Sequence, residues 1–239
     1  MTHAGDGAFG PPTGRAVHVR TIADCVCIDN RIVHEWLVRD QSAIARQIGQ
    51  HERDVAQVWL NERGGFNKAA MPLAPSPYVS CIDATPLAQA YAHAYAGLWH
   101  SGDVQALKPL WHDHALIALP GGERAIDAAG LRHFWASVLG ALKTAEFAVE
   151  HVVEVKRTGR ATALALRWRA TTHHLGAGRY GAPTGRRVEV MGICHAEAEQ
   201  GRIVREWVLI DDVALWMQVL DVQPHGQPAC TQTARQSSG

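Results

Sequence analysis

One carboxylate and one pair of histidines are the side chains of this sequence best placed to move protons. Asp211 stands between a strand-like run, Ile203–Ile210, and a short helical pattern, Val213–Leu220. A carboxylate with apolar surroundings has a raised pKa and can exchange a carbon-bound proton near neutral pH. The same residue could instead be the N-cap of the helix, whose first amides need an acceptor. Both interpretations stay open at this point.

Histidines could supply the hydrogen-bond donor that works together with such a carboxylate. His173 and His174 end a strand-like run that begins at Ala161. Because neighbouring residues of a strand point to opposite faces, only one of the two can face a core. An imidazole there could donate a hydrogen bond to the oxygen of a developing enolate, and an ordinary loop-edge histidine is the alternative. His195, inside a further strand, is either a cavity-lining residue or a solvated one.

Metal and cofactor chemistry find little support in the sequence. His112 and His114 have the spacing of metal ligands, but a metal site needs further ligands and supporting residues around them. The five cysteines are scattered and form neither a zinc pattern nor a disulfide framework. Gly176 and Gly178 lack the strand-to-helix context of a phosphate-binding loop. We therefore expect no metal and no cofactor.

The composition favours a globular protein that acts on a small molecule. Of 239 residues, 47% are apolar, and the 23 basic side chains balance 23 acidic ones. A balanced charge does not favour a nucleic-acid partner. No apolar run approaches the ~18 residues of a membrane span, and the start, MTHAGDGAFG, does not resemble a secretory signal. We expect a cytoplasmic protein with no membrane partner.

The chain contains an internal repeat. Residues 10–49 align with residues 181–220 without a gap, at an offset of 171 positions, and 16 of the 40 positions are identical. We interpret this similarity as a duplication. About a hundred residues precede the second copy, and about ten precede the first. The predicted organisation is a truncated first repeat (1–49), a helical segment with a proline-rich linker (50–83), a complete unit (84–220) and a disordered tail (221–239).

The complete unit has the element order of an α+β fold. Helical patterns begin at Thr85-Pro86, at Asp103 (reaching Trp111) and near Asp127, with one early strand between the last two. Four strand-like runs and a short closing helix follow. This order predicts a bent antiparallel sheet covered on one face by three helices. Six of the eight tryptophans lie in this unit, as expected for an aromatic core or pocket.

Several motifs of the complete unit resemble the SnoaL-like polyketide cyclases, which belong to the nuclear transport factor 2-like superfamily. The resemblance covers about residues 84–220 and recurs over 10–49. It implies a cone-shaped α+β barrel around an apolar cavity, preceded here by a partial copy of the same fold. The motifs are Arg167-Trp168 before Thr-Thr-His-His, Pro183-Thr184-Gly185-Arg186, and Gly201-Arg202-Ile203-Val204 with Glu206-Trp207, Asp211 and Gln218.

The resemblance also implies a catalytic pair. In the polyketide cyclases, an aspartate after the strand that carries the tryptophan acts as general acid and base in an aldol ring closure, and that position is Asp211. The loop histidine of the family falls on His174. The chain departs from the family pattern at Thr172, where glycine is usual, and at Glu206, where histidine is frequent. The residues expected to bind substrate are Trp99, Trp135, Trp168, His195 and Trp207.

The sequence therefore predicts cofactor-free general acid/base chemistry, namely cyclisation, isomerisation or hydration, on a small apolar molecule that contains a carbonyl group. A non-catalytic ligand-binding or dimerisation module is the alternative, which the departures at Thr172 and Glu206 and the incomplete first copy favour. Water activation of the epoxide-hydrolase kind, by Asp211 with Arg167 or Arg169, is a further alternative.

The partial copy is expected to act as a dimer partner. Folds of this superfamily commonly pair through their sheets. We therefore expect Ala16–Asp40 to pack on the outer sheet face of the complete unit as an intramolecular pseudo-dimer, or to join a second chain in a homodimer. Asp40, in a half-cone without covering helices, is expected to have no role.

Overall fold

The computed structural model describes residues 1–66 and 80–222. The predictions of a proline-rich linker and of a disordered tail fall mainly outside these described residues. Within them, no helix combines the length and the apolar character that crossing a membrane requires.

The chain folds into eight strands and five α-helices in its described part. Two short 3-10 turns, Val104–Leu107 and Pro120–Gly122, connect neighbouring elements. The elements are β1 (Thr21–Ile28), β2 (Arg31–Arg39), α1 (Gln41–Ile48), α2 (Glu52–Arg63), α3 (Pro86–Ser101), β3 (Trp111–Ala118), β4 (Arg124–Ala125), α4 (Ala128–Ala141), β5 (Leu142–Val155), β6 (Thr162–His174), β7 (Arg187–Glu199), β8 (Arg202–Ile210) and α5 (Asp212–Leu220).

The expected α+β fold is confirmed, with two differences. The main sheet has the order β4-β3-β8-β7-β6-β5, and β3 runs parallel to β8, so the sheet is not wholly antiparallel. The second helix was expected to reach Trp111, but it ends at Leu107 and Trp111 begins β3. Pro109 accounts for this difference, because proline lacks the amide that a continuing helix requires.

Helix α3 shows how the sequence places an aromatic face on the sheet. Pro86 occupies its first turn, and Gly102 ends it in the left-handed conformation at φ 68°. Tyr91, Tyr95 and Trp99 recur every four residues, and all three are buried. The helix therefore presents two hydroxyls and an indole to the concave side of the sheet.

The hairpin β1–β2 packs on the outer face of β7 and β8, as expected for this segment. Six of the eight residues in the small core between them form three pairs whose members lie 171 positions apart in the sequence. A surface that meets its own equivalent is the arrangement of a two-fold interface. The pairs are Ile22 with Ile193, Trp36 with Trp207, and Val38 with Leu209.

The same hydrogen bonds recur at that offset. The side-chain amide of Gln47 binds the main-chain N–H and C=O of His18, at 2.9 and 2.8 Å. Gln218 binds the main chain of Glu189 in the same way, at 2.8 and 2.9 Å. Asp40 and Asp211 each cap the helix that follows. These recurrences support the predicted duplication, which stays a prediction.

Asp40 fastens the N-terminal fragment (residues 1–49) to the complete unit, so the expectation that it has no role is wrong. Its side chain is fully buried. It accepts hydrogen bonds from Arg20 at 3.0 Å, and from Ser42 and the amide of Ala43. The amides of Gly121 and Gly122 in the second 3-10 turn donate to it at 2.7 and 3.2 Å. One carboxylate thus accepts from both amides of this turn, one on each of its oxygens.

Candidate functional site

Aromatic rings occupy the concave side of the sheet. Even-numbered residues of β6 and β7 point inward, among them Trp168 and Cys194, and so do Glu206 and Val208 of β8. Six large side chains from the helices and strands meet there, with neighbouring ring centroids 4.8 to 6.2 Å apart. All six are at least 99% buried: Tyr91, Tyr95, Trp99, Trp111, Trp135 and Trp168.

Gly192 makes room for the central ring of this group. A Cβ atom at Gly192 would lie 2.0 Å from Cζ2 of Trp168, whose ring is fixed between Trp99 and Tyr95. We expect Gly192→Ala to lower the free energy of unfolding by about 3 kcal/mol through overpacking, measured by urea denaturation.

Gly140→Ala in α4 is the matched control for this substitution. No atom lies within 4 Å of its added Cβ, and alanine stabilises a helix by about 0.5–1 kcal/mol relative to glycine. Equal stabilities of the two variants would contradict the tight packing around Trp168.

Glu206 lies within this aromatic group and is fully buried. Its Oε1 accepts hydrogen bonds from the hydroxyls of Tyr91 and Tyr95, at 2.6 and 2.8 Å. Its Oε2 accepts one from the indole N–H of Trp111, at 2.7 Å. Burial raises the pKa of Glu206 from 4.5 to about 7, although the three donors act in the opposite direction. Near neutral pH this carboxyl is therefore present in both of its protonation states.

The groups around Glu206 keep their own protons. Burial raises the pKa of Tyr91 and of Tyr95 well above 10. Burial likewise raises the pKa of the Cys194 thiol, which donates to the Tyr95 hydroxyl at 3.3 Å. The cluster thus combines one proton acceptor of near-neutral pKa with two phenol donors. This is a set suited to general acid/base chemistry at a carbon beside a carbonyl.

Sequence reasoning noted Glu206 only as a departure from a family pattern. Strand alternation could have found it, because residue 206 must point opposite to Trp207 and share a face with Val208 and Ile210. What the sequence does not reveal is which face of β8 is concave. That depends on Tyr91 and Trp111 arriving from elements about a hundred residues away.

Asp211 and His174 bind different partners. Asp211 is half-buried and caps α5 through the amide of Ala214 at 3.1 Å. The amide of Gln41 donates to it at 3.0 Å, so the N-terminal fragment covers this carboxyl. Burial raises the pKa of Asp211 to about 6. Asp211 is therefore the helix cap that one interpretation expected, and its role as a catalytic acid stays a prediction.

His174 faces inward at the end of β6. Its Nδ1 lies 3.1 Å from the Thr184 hydroxyl, and its Nε2 has no hydrogen-bond partner among the residues that the structure describes. Burial lowers the pKa of His174, which favours the neutral imidazole. It is thus placed to donate or accept one hydrogen bond inside the cone.

The residues predicted to bind substrate divide into two groups. Trp99, Trp135 and Trp168 belong to the aromatic cluster inside the cone. His195 and Trp207 lie on the opposite, outer face of the sheet.

Arg167, considered with Asp211 for epoxide opening, also lies on the outer face. Its guanidinium donates to Asp24 at 2.7 Å and to Glu150, and stands 3.7 Å over the Trp36 ring. His151 also pairs with Asp24, at 2.8 Å. This buried ion cluster anchors the hairpin to the sheet. In the described ranges, no three histidine, cysteine or acidic side chains are grouped to hold a metal ion.

Comparison with known proteins identifies a family for the C-terminal part of the chain. A family model described as SnoaL-like polyketide cyclase matches residues 89–219, more than half of the chain. No curated protein matches the chain.

Several solved structures are similar in fold. A SnoaL-like protein from Jannaschia sp. CCS1 shares 16% identity at a TM-score of 0.48, covering 59% of this chain and 99% of its own. IdmH from Streptomyces antibioticus shares 26% identity at a TM-score of 0.40, covering 53% and 95%. TsrD from Streptomyces laurentii shares 19% identity at 0.46, covering 58% and 98%. These likenesses carry no argument about function.

Proposed function

Because the chain belongs to the SnoaL-like polyketide cyclase family, we propose that its complete unit catalyses proton transfer on a small apolar carbonyl compound, with Glu206 as the acid and base. The observation that carries this proposal is the position of Glu206 within the aromatic cluster, with a pKa of about 7 and two phenol donors on one oxygen. No cofactor enters the proposed reaction.

The proposed step uses the carboxylate of Glu206 and the hydroxyls of Tyr91 and Tyr95. The Glu206 carboxylate removes a proton from the carbon next to a carbonyl, and the electron pair moves onto the carbonyl oxygen. The hydroxyl of Tyr91 or Tyr95 transfers its hydrogen bond from Glu206 to that oxygen and stabilises the enolate. Glu206 then returns the proton to carbon, or the enolate attacks a second carbonyl, closes a ring, and the resulting alkoxide takes the proton from Glu206. The first outcome is an isomerisation or an exchange, and the second is a cyclisation.

We infer the substrate class from the rings that surround Glu206. Indole and phenol rings bind flat, apolar molecules, and the only hydrogen-bonding groups required of the substrate are oxygen acceptors. A fused-ring ketone satisfies both demands.

Exchange of deuterium into 2-tetralone tests the proposal. This bicyclic ketone exchanges its acidic α-protons in deuterated water at a rate that proton NMR can follow. We expect the protein to accelerate the exchange, and Glu206→Gln to reduce the catalysed rate by about 10²–10⁴-fold, because the amide cannot accept the proton. Circular dichroism would show that the variant is folded.

Asp211→Asn is the comparison variant, since Asp211 is the acid/base that the family resemblance implies. We expect it to retain most of the exchange activity. If Asp211→Asn loses the activity and Glu206→Gln keeps it, the assignment to Glu206 is wrong and the catalytic pair of Asp211 and His174 replaces it.

A non-catalytic binding protein is the second candidate function. The close packing of rings around a fully hydrogen-bonded Glu206 favours it, because a group with every partner satisfied can serve as a structural centre. In that case 2-tetralone would bind without any exchange above the buffer rate.

A further inference from the structure

The outer face of the sheet carries a row of four side chains at one register level. Val153 of β5 pairs with Ala165 of β6, Ala165 with His195 of β7, and His195 with Trp207 of β8. Since partners in register point to the same face, all four side chains stand side by side on the face that the N-terminal hairpin approaches.

The hairpin covers the neighbouring row of side chains and leaves the row of His195 and Trp207 only partly covered. Two residues away on each strand lie the members of that neighbouring row, which are also in register: His151, Arg167, Ile193 and Leu209. Asp24 binds the first two, and the apolar core of the hairpin covers the last two. The row of His195 and Trp207 is left at the edge of this cover.

A groove of about 570 Å³ results from this partial cover. Its floor is low because Ala163 and Ala165 of β6 carry only methyl groups. Val19–Ile22 of the N-terminal fragment form one wall, and Val153 and Val155 of β5 form another. His195 is exposed in it and Trp207 is half-buried. Its volume is in the range of small-molecule sites, about 300–1,000 Å³.

The charged groups of the groove leave it positive. Glu197 is paired with Arg205 at 2.6 Å. The charge of Arg20 is balanced by Asp40, which its Nη2 binds at 3.0 Å, and Nη2 also donates to the carbonyl of Leu119. Arg157 also lines the groove, and no described residue forms an ion pair with it.

We propose that this groove is a second binding site, separate from the cone, for a small planar carboxylate. The ring system lies against Trp207 and the alanine floor, next to His195. The carboxylate faces the guanidinium group of Arg157, because a guanidinium binds a carboxylate with two parallel hydrogen bonds. This inference does not depend on the acid/base function proposed for Glu206.

Titration with 2-naphthoate by isothermal calorimetry tests the site. We expect saturable binding of one molecule per chain. Ala165→Leu fills the floor of the groove with an outward-pointing side chain and should weaken binding at least 10-fold. Ala148→Leu, at an exposed position of β5 outside the groove, is the matched control and should bind as the wild type does.

Two further measurements separate this site from the cone and from simple apolar adsorption. Arg157→Gln should weaken binding several-fold, and the uncharged 2-naphthamide should bind at least 10-fold more weakly than 2-naphthoate. Glu206→Gln should bind 2-naphthoate normally. The proposal is overturned if no saturable binding occurs, if Ala165→Leu binds normally, or if Glu206→Gln abolishes binding while Ala165→Leu does not.

Discussion

Asp40→Ala should lower the free energy of unfolding by about 3–5 kcal/mol, a large fraction of the about 5–15 kcal/mol of a typical domain. The fully buried carboxylate satisfies the Arg20 guanidinium, the Ser42 hydroxyl and three main-chain amides. Alanine leaves the hydroxyl and the three amides without this acceptor, while Arg20 keeps only the carbonyl of Leu119, and each unsatisfied donor lowers the stability. Urea denaturation followed by tryptophan fluorescence measures the loss.

Asp103→Ala is the control, because Asp103 caps only an exposed 3-10 turn through the amide of Gln105 at 2.8 Å. Loss of this cap should lower the free energy of unfolding by about 1 kcal/mol. Asp40→Asn, which keeps the cap acceptor but not the charge, should fall between the two and remains measurable if the alanine variant does not fold. Similar losses in the Asp40→Ala and Asp103→Ala variants would show that the Asp40 anchor contributes little.

Glu206 should make the protein less stable as pH rises from 4.5 to 7. Its pKa is about 7 in the folded protein and 4.5 when exposed, so in this window the unfolded chain loses a proton that the folded chain retains. The free energy of unfolding therefore falls by about 3 kcal/mol between pH 4.5 and pH 7, and the titration of Glu206 causes no further change above pH 7. Glu206→Gln removes the effect, because glutamine does not titrate.

Urea denaturation of both proteins at pH 4.5, 6 and 8 measures this difference. The stability of Glu206→Gln relative to the wild type should rise by about 3 kcal/mol from the lowest to the highest pH. Glu62→Gln, on the exposed side of α2, should run parallel to the wild type. A constant difference between Glu206→Gln and the wild type would mean that folding does not raise the pKa of Glu206.

The order of elements could be predicted from the sequence because its signals are local. Pro86 in the first turn of α3 and Gly102 at its end mark a helix without knowledge of its neighbours. The repeat over residues 10–49 similarly predicted two strands followed by a helix, which are β1, β2 and α1. These inferences depend on spacing and on backbone preference, which the chain carries at every position.

The candidate site could be predicted only in part, because it depends on which face of each strand is concave. Trp168 and Trp207 look alike in sequence, each following a charged residue in a strand, yet one lies inside the cone and the other outside. Glu206 gains its raised pKa from residues brought by α3 and β3. Long-range packing of this kind leaves no periodic signal.

The hairpin β1–β2 packs on its equivalent surface within the same polypeptide, so the contact is intramolecular. A contact within one chain does not depend on the protein concentration, whereas a contact between two chains does. A second copy of the protein would therefore compete with the hairpin for β7 and β8 only as its concentration rises.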